Sequence, residues 1–134
     1  MDKVLLQKKL EMLVRCIDRI KSQNVSSPEE LESNLDKQEI IILNLQRAVQ
    51  ICIDIGNHIL LDYSVTPATM ADTFKSMAEK GIISVSNAAN LAKAVAFRNI
   101  AVHQYDTLDN KIIFDIINNH LVDFSDFAAS IAKA

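Results

Sequence analysis

The sequence predicts an all-α protein, an up-and-down helical bundle of four long helices plus a short one. The chain has 134 residues but only two glycines and two prolines, too few for the many turns of a β-rich fold. Apolar residues instead recur every three or four positions along most of the chain, which is the spacing of one helix face. A chain of this length buries a sizeable core without disulfides or a metal, so we expect a single domain over residues 1–134.

The first two helices are predicted from their caps and their apolar spacing. Asp2 is expected to cap a helix that ends near Asn24 and has an apolar face of Leu6, Leu10, Leu13, Ile17 and Ile20. The stretch "NVSSPEELESN" then predicts a short helical turn, with Ser27 as its cap and Pro28 at its first position.

A second long helix is predicted from near Asp36 to about Leu61. Its second half, "AVQICIDIGNHILL", is apolar almost all round, so it is expected either at the centre of the bundle or against a second copy of the chain. Gln50, Asp54 and His58 follow one another at i, i+4 spacing and form one polar stripe on this helix.

The remaining helices are predicted from start and stop signals. Thr66 and Pro67 are expected to cap and begin the third helix, and Gly81 to end it. The fourth is expected from the serine at position 84 or 86 to Arg98 or a little beyond. Asp109 is expected to cap a last helix over 110–133, with these side chains inward: Ile112, Ile113, Ile116, Ile117, Leu121, Phe124 and Phe127.

Composition and charge exclude several classes of protein. The net charge of −3 argues against a broadly basic nucleic-acid surface. No apolar run approaches the roughly 18 residues of a membrane span, and the N-terminus lacks the apolar core of a signal peptide, so we expect a cytoplasmic protein without membrane contact. Cys16 and Cys52 lie within apolar helical patterns and are interpreted as core thiols.

The charges are nevertheless unevenly distributed. Residues 80–105 contain Lys80, Lys93 and Arg98 and no acidic residue, whereas residues 106–134 contain five Asp and two Lys. A locally cationic segment therefore ends in the stretch "AFRNIAVHQYD", residues 96–106.

This stretch places Arg98, Asn99, His103 and Tyr105 within eight positions. On a continuous helix, Arg98 and His103 would point about 140° apart around the axis. If the two side chains act together, we expect the helix to loosen or end between them.

The stretch resembles the signature of the HEPN superfamily, and specifically of its HepT-type toxins. The matching features are R-x4-H-x-Y in "FRNIAVHQY" and the asparagine directly after the arginine. The resemblance extends to "LNLQRAVQICIDIGNHIL" and to "FKSMAEKGIIS" with its glycine stop, and so covers most of the chain. It implies a HEPN-like bundle that acts as a metal-independent endoribonuclease and a homodimer, with two such segments facing each other across a cleft.

The same resemblance implies roles for individual residues and a partner. Arg98 and His103 take the catalytic roles, and Tyr105 is the residue that a minimal nucleotidyltransferase antitoxin can adenylylate. No cofactor is implied. A nucleotide on Tyr105 would bring a phosphodiester anion to Arg98 and fill the substrate phosphate site, which would silence the enzyme.

The residue types suit RNA cleavage without a metal. Histidine can act as a base or an acid near neutral pH, and arginine supplies a fixed cation for the phosphoryl oxygens. One histidine cannot be both base and acid at the same moment, which favours a dimer cleft that contains two. Lys80 and Lys93 are expected to contact RNA phosphates, because the chain has no Trp and few aromatic residues on which bases could stack.

Three further residues are candidates for supporting the cleft. Asn99 follows the arginine directly, while Asp54 and His58 form either a buried structural pair, the preferred interpretation, or part of the cleft lining. A zinc site is not expected, because two ligands on one helix need one or two more. The alternative function is a non-catalytic binding subunit of a nucleotidyltransferase, and a plain helical interaction protein comes third. The intact pair of Arg98 and His103 favours the enzyme.

Overall fold

The computed structural model describes residues 2–103 and 107–133, and all regular structure within these ranges is helical. The all-α prediction is therefore confirmed. The helices of the described residues are α1 (Lys3–Lys21), α2 (Pro28–Ser33), α3 (Leu35–Leu61), α4 (Met70–Glu79), α5 (Val85–His103), α6 (Asn110–Asn119) and α7 (Leu121–Lys133). None of these helices combines the length and the unbroken apolar character needed to cross a membrane.

The longest helix, α3, is the centre of the bundle, as its apolar sequence predicts. The helices α1, α4 and α5 pack along it, and α2 and α7 contact it as well. Its buried side chains come from several sides of the helix and include Ile41, Ile42, Leu45, Val49, Cys52, Ile55 and Leu60. The helix α3 is therefore covered by neighbouring helices along most of its length.

Most helix ends follow the predicted signals. Asp2, Ser27 and Asp109 each accept a hydrogen bond from a backbone N–H two or three residues further on, at 2.7, 3.3 and 2.8 Å. The hydroxyl of Ser84 caps α5 in the same way at 2.9 Å. Gly81 follows α4 with a φ of 72°, a left-handed conformation that stops the helix and that glycine adopts without strain.

The predicted start of the third helix is wrong. The helix α4 begins at Met70, three residues after Pro67, and its cap is Thr69 and not Thr66. The Thr69 hydroxyl accepts the backbone N–H of Asp72 at 3.2 Å. Two threonines thus offered competing caps, and the second one satisfies the N–H groups of the helix.

The predicted single last helix is also wrong, because it breaks at His120 into α6 and α7. His120 has a φ of −123° and a ψ of −1°, and its imidazole lies 3.3 Å from carboxylate oxygens of both Asp115 and Asp123. The break changes which side chains face the core. Ile112 is 54% exposed although it was predicted inward, whereas Ile113, Leu121, Phe124 and Phe127 are buried and Ile116 and Ile117 are partly buried.

Candidate functional site

The half-buried guanidinium of Arg98 is held where α3, α4 and α5 meet. Its Nη2 donates a hydrogen bond to Oε1 of Gln50 on α3 at 3.1 Å. Its Nη1 donates to Oδ1 of Asn99 at 3.3 Å and lies 3.6 Å from the sulfur of Met70, the first residue of α4. These contacts fix the plane of the guanidinium without neutralising its charge, and no carboxylate within residues 2–103 and 107–133 forms an ion pair with it.

The contacts of Arg98 continue through α3 to α1. Gln50 accepts from Arg98 and donates through Nε2 to Oδ1 of Asp54 at 2.9 Å, so its amide orientation is set from both ends. The other carboxylate oxygen of Asp54 lies 3.8 Å from Nζ of Lys9 on α1. A chain of polar contacts therefore links three helices and ends at the guanidinium.

His103 is the last residue of α5, and its side chain is exposed. The helix continues without interruption from Arg98 to His103, so the loosened or ended helix that their joint action within one protomer would require is not present. On this continuous helix the two side chains diverge by about 140° and are displaced by about 7.5 Å along the axis. Within one protomer, Arg98 and His103 therefore do not converge on a single point.

Asp54 and His58 do not form the expected buried pair. The carboxylate of Asp54 is engaged by Gln50 and Lys9, and His58 is exposed one turn further along α3. His58 lines a shallow depression with Asn57 and the loop after α3. Of these two candidates, the structure brings Asp54 to the surroundings of Arg98, through Gln50.

Lys80 and Lys93 lie away from Arg98. Lys80 caps the end of α4, about 15 Å along that helix from Met70, the residue that Arg98 contacts. Lys93 lies on α5 about 140° around the axis from Arg98 and lines a cavity between α3, α5, α6 and α7. Their predicted contacts with RNA phosphates stay a prediction. Tyr105 lies outside the described residues.

Sequence reasoning missed two polar features of this molecule. Gln50 was noticed as part of a stripe but not as the acceptor that holds Arg98, because its i, i+4 spacing to Asp54 indicates only the contact between those two residues. His120 was given no role, yet it joins Asp115 to Asp123 beside the cavity that Lys93 lines. His120 lies five residues after Asp115 and three before Asp123, and this spacing indicates that its imidazole can reach both carboxylates.

The two cysteines are core residues, as predicted. Burial raises the pKa of the Cys52 thiol far above its ordinary value, with a smaller contribution from Cys16. Burial also raises the pKa of the Cys16 thiol, which the Arg47 guanidinium partly offsets. Neither thiol is therefore a nucleophile at neutral pH.

The chain is similar to proteins that cut RNA. Residues 13–131 match the family model described as "Ribonuclease HepT-like". The mRNA nuclease HepT of Shewanella oneidensis is 37% identical over 120 residues, which are 89% of this chain and 90% of that protein. The tRNA nuclease HepT of Aphanizomenon flos-aquae is 29% identical over 116 residues, 86% of this chain and 79% of that one.

Solved structures of toxin–antitoxin complexes have the same fold. The tri-AMPylated Shewanella oneidensis HEPN toxin, in complex with MNT antitoxin, superposes with a TM-score of 0.91 at 33% identity over 100% of both chains. A toxin–antitoxin structure with AMP-PNP gives 0.92 at 32% identity over 98% of this chain and 100% of the other. The cytosolic protein YutE from Bacillus subtilis shares the fold, with a TM-score of 0.82 at 16% identity over 98% of this chain and 89% of the other.

Proposed function

The chain belongs to the HepT-like ribonuclease family, and we propose that it is a metal-independent endoribonuclease and the toxin of a toxin–antitoxin pair. The observation that carries the proposal is the cation of Arg98, held between Gln50 and Asn99 on the helix that ends at His103. The relatives named as mRNA and tRNA nucleases support RNA as the substrate.

In the proposed reaction, the 2′-hydroxyl of a ribose attacks the adjacent phosphorus, and the bond from phosphorus to the 5′-oxygen breaks. A histidine accepts the 2′-hydroxyl proton, and a protonated histidine donates to the leaving 5′-oxygen. The guanidinium of Arg98 stabilises the negative charge that builds on the phosphoryl oxygens. This chemistry yields a 2′,3′-cyclic phosphate and a 5′-hydroxyl.

The proposed active unit is a homodimer with both α5 helices in one cleft. Because Arg98 and His103 diverge on a continuous helix, a second α5 helix supplies the groups that one protomer cannot bring together. The exposed face of α5 that leads to His103 carries Ala96, Asn99 and Ile100 at helical spacing, and Ile100 is 43% exposed. A short, partly apolar helix face of this kind suits contact with its own copy across a two-fold axis.

The proposed regulator is a nucleotidyltransferase antitoxin that adenylylates Tyr105. The AMPylated relative in complex with MNT antitoxin supports this assignment. Tyr105 follows His103 by two positions, so an added AMP would lie beside the catalytic histidine and compete with the substrate phosphate for Arg98. Replacement of Tyr105 by phenylalanine should leave a toxin that the antitoxin binds but cannot modify, as measured by intact mass.

The test of the proposed function is RNA cleavage by the purified protein in excess EDTA, compared with Arg98→Ala and His103→Ala. Intact mass is recorded on every sample, so that an AMPylated and silent protein is recognised. Cleavage by the wild type and loss of at least a hundredfold in both variants is the expected result, because each removes an interaction made in the transition state. An unmodified wild type that cuts no RNA would instead favour a non-catalytic binding subunit.

A further inference from the structure

A groove between α1 and α3 concentrates positive charge in a protein whose net charge is −3. Its cavity volume is about 580 Å³. The charged side chains that line this α1–α3 groove are four cations and one carboxylate: Lys9, Arg15, Arg19, Arg47 and Asp54. The sequence prediction did not identify it, because its cations come from two helices that are separate in the sequence.

Most of these cations are free to bind an anion. Lys9 lies 3.8 Å from Asp54, and within residues 2–103 and 107–133 no ion pair involves the exposed Arg15, Arg19 or Arg47. Around the axis of α1, Glu11 and Asp18 lie about 40° and 60° outside the arc that Lys9, Arg15 and Arg19 occupy. The α1–α3 groove is therefore cationic, and its single carboxylate is already matched by a lysine.

The groove continues to the candidate catalytic arginine. Gln50 lines the groove and is also the residue that accepts the hydrogen bond from Arg98. Lys9 lies at this end of the groove, beside Asp54, and Arg19 is ten residues, or about 15 Å, further along α1. The cations thus form a line that starts at the surroundings of Arg98 and runs away from it.

We propose that the α1–α3 groove binds the phosphate backbone of single-stranded RNA and leads it to Arg98, which rests on the ribonuclease function proposed above. Guanidinium groups match phosphate oxygens in charge and in bidentate geometry. A line of about 15 Å is long enough to contact several successive phosphates of an extended strand. Met12, which is 48% exposed, supplies apolar surface between the cations, against which riboses can pack.

An acidic protein surface is the other anion that a cationic groove attracts. The position of the cations favours RNA, because they lie in one line that ends at a guanidinium able to stabilise a reacting phosphate. Arg15 and Arg19 are one helical turn apart, about 6 Å along α1, so their guanidinium groups can contact different phosphates of one strand. A binding surface for a protein would not need to extend to Arg98.

The experiment measures binding of a fluorescein-labelled oligouridylate of about 12 nucleotides by fluorescence anisotropy over a series of KCl concentrations. His103→Ala protein is used throughout so that the probe is not cut. The groove variant carries Arg15→Gln and Arg19→Gln, and the charge-matched control carries Lys111→Gln and Lys133→Gln. A third arm with Lys80→Gln and Lys93→Gln tests the two contacts predicted from the sequence.

Loss of two phosphate contacts should make the slope of log affinity against log salt shallower by about 1.4. Over a fourfold rise in KCl, the reference protein should therefore lose about sevenfold more affinity than the groove variant. The control variant should keep the full slope. The four residues changed in these two variants are all exposed, so both variants should melt at the temperature of the reference protein. Arg47→Gln serves as a second groove variant if the first does not fold.

Either of two results would overturn the groove proposal: a reference protein that does not bind the probe, or a groove variant that keeps the affinity and salt slope of the reference protein. In the second case, co-elution of the groove variant with the antitoxin is measured, and its loss would assign the groove to a protein partner. Cleavage by wild-type protein is measured in parallel, so failure of the ribonuclease function is seen separately from failure of the groove.

Discussion

The contact between Gln50 and Arg98 predicts a specific loss of activity in Gln50→Ala. The substitution removes the acceptor 3.1 Å from Nη2 and, among residues 2–103 and 107–133, leaves Asn99 as the side-chain oxygen acceptor of the guanidinium. A hydrogen bond to a charged group is worth about 1.5–3 kcal/mol, and roughly half of that is expected here because Arg98 is partly exposed and keeps a second acceptor. A loss of about 1.1 kcal/mol in transition-state stabilisation lowers kcat/KM about sixfold.

The assay is cleavage of a fluorescent RNA under single-turnover conditions, with the melting temperature measured for each protein. Gln46→Ala is the matched control, because Gln46 is the same residue type one turn earlier on α3 and lines a different depression. Fold stability should change little in both variants. A kcat/KM for Gln50→Ala within twofold of that for Gln46→Ala, while Arg98→Ala remains inactive, would refute the positioning role of Gln50.

Three further predictions concern the fold. In Gly56→Ala the new Cβ would lie 2.7 Å from Cγ2 of the buried Thr73. Overpacking that costs about 2 kcal/mol outweighs the gain of about 1 kcal/mol in helix propensity, so Tm should fall by about 4 °C. Cys52 is fully buried and its pKa is raised, so iodoacetamide at pH 8 should leave it unmodified in the folded protein and alkylate it in urea. The hydrogen bond from Lys37 lowers the pKa of Glu30, so Glu30→Gln should lower Tm at pH 7, and the difference should shrink as pH falls through the folded pKa.

Each of these predictions has a contradicting outcome. An unchanged or higher Tm would show that the helices around Gly56 can move apart without cost. Rapid alkylation of Cys52 under native conditions would show that the core opens locally far more often than its packing indicates. A Tm difference for Glu30→Gln that is the same at pH 7 and at pH 3 would show that the carboxylate charge contributes nothing to stability.

The fold class could be predicted from the sequence because its signals are local. Scarcity of glycine and proline excludes a β-rich fold, and apolar spacing identifies helix faces. Helix ends were wrong where two capping residues lay close together, as at Thr66 and Thr69, and where the apolar spacing continued across a break, as at His120. A hydrophobic pattern that continues across a break gives no sign of the break itself.

Only the part of the candidate site that lies within one segment of the chain could be predicted from the sequence. The stretch from Arg98 to Tyr105 is contiguous in the sequence and carries the family resemblance. The contact of Gln50 with Arg98 depends on how α3 and α5 are rotated against each other, which no local pattern encodes. The cations of the α1–α3 groove likewise meet only after α1 packs on α3.

The central claim is cleavage of RNA by residues of the protein without a metal, and the chemistry of the product ends tests it most directly. The unmodified protein is incubated with RNA in excess EDTA, and the ends are identified by mass spectrometry of the fragments. We expect 2′,3′-cyclic phosphate and 5′-hydroxyl ends, which disappear in Arg98→Ala and His103→Ala. Fragments with 5′-phosphate and 3′-hydroxyl ends, or activity that EDTA abolishes, would contradict it.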